Sequence, residues 1–214
     1  MIERVVLTPD LKSIVDVSRE TIMKLSLFND MLLEWNQNIN LISQKTVSET
    51  WIRHIIDSAQ LWSLAPVKAK SWLDVGSGGG FPGMVISIIA YEKNPSLQVT
   101  LVESNKRKCF FLREVARILR LKINIVSDRI ENISTRNFDV VSARAFAKLS
   151  SLLYISNFHL RKSGVSLFLK GKNVELELFE AKKFWRFQFN LHKSLSSCEG
   201  SVVQIRNDTC EKYE

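Results

Sequence analysis

Residues 74–83 read DVGSGGGFPG, and five of the chain's eight glycines (Gly76, Gly78, Gly79, Gly80 and Gly83) fall inside this run. Glycine loses more backbone freedom on folding than any other residue. A cluster this dense therefore marks a backbone bent into an unusual path or approached closely by a ligand. The run lacks the G-x-x-x-x-G-K-[ST] order of an ATP phosphate loop. It gives G-x-G-x-G at Gly76, Gly78 and Gly80, with Phe81 standing where a dinucleotide fingerprint needs its third glycine. An acid, Glu103, closes the next apolar run, QVTLVE, where a carboxylate accepts hydrogen bonds from ribose hydroxyls or simply sits solvated at a strand end. Arg144, in FDVVSARAFA, follows a third apolar run. A guanidinium there grips a phosphate or carboxylate as a bidentate fork, or else makes a surface salt bridge.

These residues need elements to place them. WLDV, QVTLVE, INIV, FDVVSA and VSLFLK are short apolar or β-branched runs, separated by helical patterns at PGMVISIIAY, NKRKCFFLREVARIL and KLSSLLYISNFHL. That alternation predicts an α/β fold with a mostly parallel sheet and helices on both faces. WRFQFNL and SVVQIR read as a closing antiparallel hairpin, for six or seven strands in all. The front of the chain reads as helices. Asp10 is placed to cap the first, with Leu11, Ile14, Val15 and Ser18 on one face. Ile22, Leu25, Phe28 and Leu32 mark a second helix, and Ile52, Ile55, Ile56 and Ala59 a third. WNQNINLISQ, with three asparagines, reads as the turn between them. Pro66 divides a helical cap, 1–66, from an α/β domain, 67–214. Pro82 suits the first turn of the helix after the glycines.

The chain has 214 residues and a net charge of +8, which favours an anionic partner, nucleic acid first. Its cysteines, Cys109, Cys198 and Cys210, are odd in number and widely spaced, giving no disulfide framework or zinc spacing. No apolar run is long enough to span a membrane, and the start, with Glu3 and Asp10, does not read as a secretory signal. A reduced, cytoplasmic protein without metal is expected.

The glycine run, in the form D-V-G-S-G-G-G-F-P-G, resembles motif I of class I S-adenosylmethionine methyltransferases as found in the RsmG (GidB) family. NLIS, RHIIDS, LVESNKRKCFFLREV, SDRIENI, FDVVSARAFAKL and LKGKNVELEL resemble further blocks of that family in the same order. The resemblance runs over about residues 25–185 and implies a Rossmann-like sheet of roughly seven strands behind an N-terminal helical cap. It implies transfer of methyl from S-adenosylmethionine to N7 of a guanine (guanine 527) in 16S rRNA, presented naked or in the 30S ribosomal subunit, by a monomer that binds no membrane. It also implies cofactor contacts at Gly76, Phe81, Glu103, Ile130, Glu131 and Arg144. On residue type alone Phe81 reads as a core residue under the helix, Ile130 and Glu131 as a loop, and Asp74 equally as a loop cap or a water-mediated cofactor contact.

SARAF carries no Asn/Asp-Pro-Pro-aromatic motif of exocyclic-amine methylation, and no cysteine lies near it in sequence for cytosine C5 chemistry. Guanine N7 already has a free lone pair and needs positioning rather than a general base, so no catalytic acid or base is assigned. Lys106, Arg113, Arg117 and Arg120 fall within an arc of roughly 60° on their helix, a basic ridge or an ordinary solvated face. Lys148, Arg161, Lys162, Lys170 and Lys172 are expected near the later strand ends, and are favoured over that ridge for RNA phosphates. His54 and Asp57 share a helix face, as a local polar network or as part of a cap closing the cofactor site. Three other readings stay open: an RNA-binding protein on a methyltransferase fold, a small-molecule or protein methyltransferase, and an NAD-dependent oxidoreductase, the last opposed by Phe81.

Overall fold

A computed structural model describes residues 11–213; Asp10 and the acidic start lie outside the described residues. The chain forms a mixed sheet of β1 (Ser71–Val75), β2 (Gln98–Val102), β3 (Ile123–Val126), β4 (Phe138–Arg144), β5 (Leu160–Lys170), β7 (Phe189–Lys193) and β8 (Ser201–Arg206). Their order is β3-β2-β1-β4-β5-β8-β7. The first five strands run parallel, and β8 and β7 join antiparallel as the expected hairpin. A separate ribbon pairs β6 (Trp185–Arg186) with β9 (Glu211–Lys212).

The strand order reverses between β1 and β4. A crevice opens there at the carboxyl ends of the strands, the place where doubly wound sheets bind ligands. Both faces of the sheet are covered, so β1 and β4 are buried almost throughout, as parallel strands covered on two sides are. Alternate residues feed two cores. Trp72, Val99, Leu101, Val140 and Leu167 pack under α2 (Arg19–Asn36), α5 (Gly83–Lys93) and α6 (Lys106–Ile118). Leu73, Val75, Val141, Ala143 and Phe168 pack under α7 (Leu149–His159) and α8 (Val174–Ala181). Each fully buried Leu or Ile contributes about 1.5–3 kcal/mol of transfer free energy.

The N-terminal helices lie on the first of these cores. The expected first helix stops early: α1 spans only Leu11–Ile14, and Ser18 begins α2 by accepting a hydrogen bond from Thr21 N–H. The same Ser18 hydroxyl donates to Glu92, which ties the start of α2 to the end of α5. Leu25, Phe28 and Leu32 form the buried stripe of α2. The asparagine turn is held by Asn36, whose buried side-chain oxygen accepts from Leu41 and Ile42 N–H at 2.8 and 3.0 Å. The third helix is irregular. A 3₁₀ segment (Gln44–Glu49) leads into a π-helical turn (Trp51–Ile56) and then α3 (Asp57–Ala59) and α4 (Leu61–Leu64). π geometry inside a helix often accompanies functional positions. Among the described residues no helix is long and apolar enough to cross a membrane.

Candidate functional site

The glycine run leaves β1 and turns back over the end of β2, where Gly76 and Ser77 N–H both donate to Val102 C=O. Gly76 has φ +67°, a left-handed conformation that side chains rarely adopt, and a Cβ there would strike the ring of Phe146. At the far end of the loop, Gly83 N–H opens α5 and donates to Asp74 Oδ2 at 3.1 Å. Asp74 is fully buried, and its Oδ1 accepts from Ser142 Oγ at 2.7 Å. Ser142 in turn accepts from Trp72 Nε1 at 2.8 Å. Burial raises the Asp74 pKa to about 6 against the pull of these hydrogen bonds. Asp74 does not line the crevice; it orients the loop, so the water-mediated cofactor contact is set aside.

Glu103 pins the loop from the other side. Its Oε2 accepts from Gly78 N–H at 2.9 Å and its Oε1 from Asn105 N–H at 2.7 Å. Asn105 is the N-cap of α6, so one carboxylate joins the glycine loop to the start of the next helix. An ionised carboxylate has about four acceptor sites, and two remain for a ligand.

Between these elements lies a cavity of about 510 Å³. Gly76, Phe81, Glu103, Ile130, Glu131 and Arg144, the six positions implied for the cofactor, all line it. Ile130 is buried and Glu131 exposed, both in a short turn after β3. Phe81 is buried in the core beside Phe28 and also lines the cavity.

The helical segment supplies the opposite wall, with Ser43, Thr46 and His54. His54 packs 4.9 Å from Phe81, and its Nε2 lies 3.0 Å from Thr46 Oγ1. Thr46 donates its hydroxyl proton to Ser43 C=O, so Nε2 carries the imidazole proton and Nδ1 keeps a lone pair. Burial, then Arg144 and Arg53, lower the His54 pKa to about 3, which keeps the ring neutral. Nδ1 is buried without a hydrogen-bond partner among the described residues.

Arg144 ends β4 with its Nη1 3.5 Å from Asp57 Oδ2. Burial lowers its pKa, Asp57 opposes that shift and Arg53 adds to it. Nη1 is buried and closes no hydrogen bond among the described residues; it faces the Asp57 carboxylate. Asp57 is itself held by Gln60 and by Ser194 Oγ at 2.6 Å. It thus links the helical segment, β4 and the loop between β7 and β8; pattern reading of RHIIDS gave no sign of that link.

A second chamber of about 620 Å³ adjoins the first and shares Arg144, Ala145 and Phe146 with it. Arg53, Lys148 and Lys172 line it. Lys170 borders it too, but its Nζ is spent on Ala147 C=O at 2.6 Å and Glu177 at 2.7 Å, which corrects its reading as a phosphate contact. Arg161 and Lys162 begin β5, at the opposite end of the sheet, and Arg161 is paired with Asp139. Lys106, Arg113 and Arg117 are exposed on α6 as projected, with Arg117 paired to Glu114, but Arg120 lies beyond the helix end with φ +54° and is not part of the helical ridge.

The described residues fit S-adenosylmethionine in three ways. The loop floor admits no side chain at Gly76, Glu103 retains acceptors, and the Arg144 side chain lines the cavity.

Comparison with known proteins adds to this geometry. Residues 21–206 match the family model described as rRNA small subunit methyltransferase G, a span that extends the resemblance at both ends. The ribosomal RNA small subunit methyltransferase G of Ruegeria sp. (strain TM1040) is 43% identical over 90% of this chain and 93% of its own length. That of Ruegeria pomeroyi is 40% identical over 95% and 98%. Among solved structures, a TehB-like SAM-dependent methyltransferase from Corynebacterium glutamicum superposes with a TM-score of 0.56 at 14% identity, covering 85% of this chain and 98% of that one. A SAM-dependent methyltransferase from Aquifex aeolicus gives 0.58 at 12%, covering 77% and 98%. At such identities these two show a shared Rossmann-like fold and nothing further.

Proposed function

The chain belongs to the rRNA small subunit methyltransferase G family, and from that membership we propose that it methylates N7 of a guanine in 16S rRNA. S-adenosylmethionine supplies a methyl carbon on a sulfonium, which the N7 lone pair takes as the carbon–sulfur bond breaks. The observation that carries this reading is the meeting of the glycine loop, Glu103 and Arg144 around one cavity that opens beside a second, basic chamber.

In this reading Gly76 lets the backbone approach the methionyl part, and Phe81 presents its edge to the apolar surface of the donor. Glu103 accepts from the ribose hydroxyls with its two remaining acceptor sites. Ile130 packs on the adenine ring with Glu131 beside it, and the Arg144 guanidinium, lining the cavity, meets the methionyl carboxylate. N7 alkylation releases no proton in the transfer step, so the residues act by alignment rather than by acid–base exchange. A neutral His54 and a buried Asp74 are compatible with that chemistry. The division into a helical cap, 1–66, and a transfer domain, 67–214, and action as a cytoplasmic monomer, belong to the same reading.

The test is transfer of label from S-adenosylmethionine to naked 16S rRNA, 30S particles and tRNA in parallel. Label in either 16S sample and none in tRNA supports the reading. Label in no RNA, with the donor bound, refutes it.

A further inference from the structure

Phe146 stands where the two chambers meet. It lines both, it is 41% exposed, and its ring rests against Gly76. A half-exposed aromatic ring at an internal partition is not explained by core packing. Its backbone is unusual as well. Ala145 has φ +49°, left-handed although it is not glycine. Such strain persists only where the surroundings over-determine it, and it gathers at functional sites. Here the surroundings are visible. Lys170 Nζ donates to Ala147 C=O, and Leu149 N–H donates to Glu177 Oε2, which also binds Lys170. The partly buried ion pair thus fixes the segment just after Phe146 from behind and holds the ring at the partition.

The second chamber has a matching character. Lys148 and Lys172 are exposed and make no ion pair among the described residues, so both are free to meet phosphate. Arg53 adds a third positive charge, shared with Glu49 at 3.1 Å. Ser196 and Ser197 line the far side. A cavity of about 620 Å³ with a flat aromatic face, cationic rims and hydroxyls suits one purine nucleotide turned out of an RNA strand.

We propose that the second chamber is the acceptor-nucleotide site and that Phe146 is the platform on which the acceptor purine stacks. The ring lies at the junction of the two chambers and touches the glycine loop, so a base stacked on it sits beside the donor cavity. Lys148 and Lys172 hold the flanking phosphates. This assignment rests on the proposed rRNA methylation and deepens it by naming the site of the acceptor base.

The test compares wild type with Phe146→Ala, Phe146→Leu and Phe146→Tyr. The readouts are kcat/KM for the 16S substrate, Kd for S-adenosylhomocysteine, and Tm. Loss of stacking predicts a drop of roughly tenfold or more in kcat/KM for both Ala and Leu. Tyr should stay near wild type, and, because the ring also borders the donor cavity, S-adenosylhomocysteine affinity should fall far less than kcat/KM in the Ala and Leu variants. Leucine fills similar space without a ring, so it separates stacking from packing. A Leu variant with wild-type turnover overturns the platform, and so does a fall in S-adenosylhomocysteine affinity that matches the fall in turnover. Wild type that labels no RNA overturns the proposed function and this inference with it. Wild type that labels RNA, with indifferent variants, overturns this inference alone.

Discussion

Arg144 Nη1 lies 3.5 Å from Asp57 Oδ2, and this contact joins the carboxyl end of β4 to the helical segment in front of the sheet. Ser194 completes the junction by donating to the other oxygen of Asp57. Three stretches far apart in sequence therefore converge on the wall between the two chambers.

Asp57→Ala should loosen that wall. Leaving a largely buried guanidinium without its carboxylate costs about 1–3 kcal/mol, since a charged donor loses its partner while staying shielded from water. Urea unfolding measures the loss, and S-adenosylhomocysteine affinity should fall with it. Stability equal to wild type would show that the pair holds nothing together.

Glu103→Ala reads differently in the structure than in the sequence. The motif predicts weaker cofactor binding with the fold intact. The structure adds two backbone donors, Gly78 and Asn105 N–H, that lose their acceptor. The expected result is a loss of affinity for S-adenosylhomocysteine together with about 1–3 kcal/mol of stability. Unchanged affinity removes the ribose assignment; unchanged stability removes the loop-pinning one.

Gly76→Ala meets two obstacles, a left-handed backbone and the Phe146 ring. The backbone part costs about 1–2 kcal/mol. The steric part should be relieved by Phe146→Ala in the same chain, so the double variant should be more stable than the two losses summed. Strict additivity in thermal unfolding would deny the contact.

His54 supplies a pH prediction. Its pKa is lowered from 6.5 to about 3, first by burial and then by Arg144 and Arg53. The unfolded chain therefore takes up this proton more readily than the folded one. Stability from this group is full above pH 6.5 and is lost as pH falls toward 3. His54→Asn should flatten the stability curve in that window, and the wild-type imidazole should show no NMR titration between pH 5 and 8, because its folded pKa lies well below that range. A midpoint near 6.5 would contradict the burial argument.

The sheet was legible in sequence because parallel strands buried on both faces are short runs rich in apolar and β-branched residues, and LDV, QVTLV and FDVVSA are such runs. The six cavity positions were legible through the order of motifs around them, above all through DVGSGGGFPG. What escaped was long-range and polar. Nothing in RHIIDS announces that Asp57 meets Arg144 and Ser194, because ion pairs between distant segments have no period. Lys170 and Arg161 looked like free positive charge, since composition does not reveal that a lysine is spent on a carbonyl or that an arginine near the start of a strand lies at the far end of the sheet. The first helix was overextended for a local reason. Ser18 is a better N-cap than a helix interior, and Glu92 waits there to hold it.

The most direct test of the account is where the methyl group goes. 16S rRNA treated with the protein and S-adenosylmethionine, then reduced and cleaved with aniline, should break at one guanine, because N7 methylation weakens that glycosidic bond. The account predicts a single cleavage that depends on the protein and on the methyl donor. Incorporated methyl with no cleavage would place it on another atom and contradict the account.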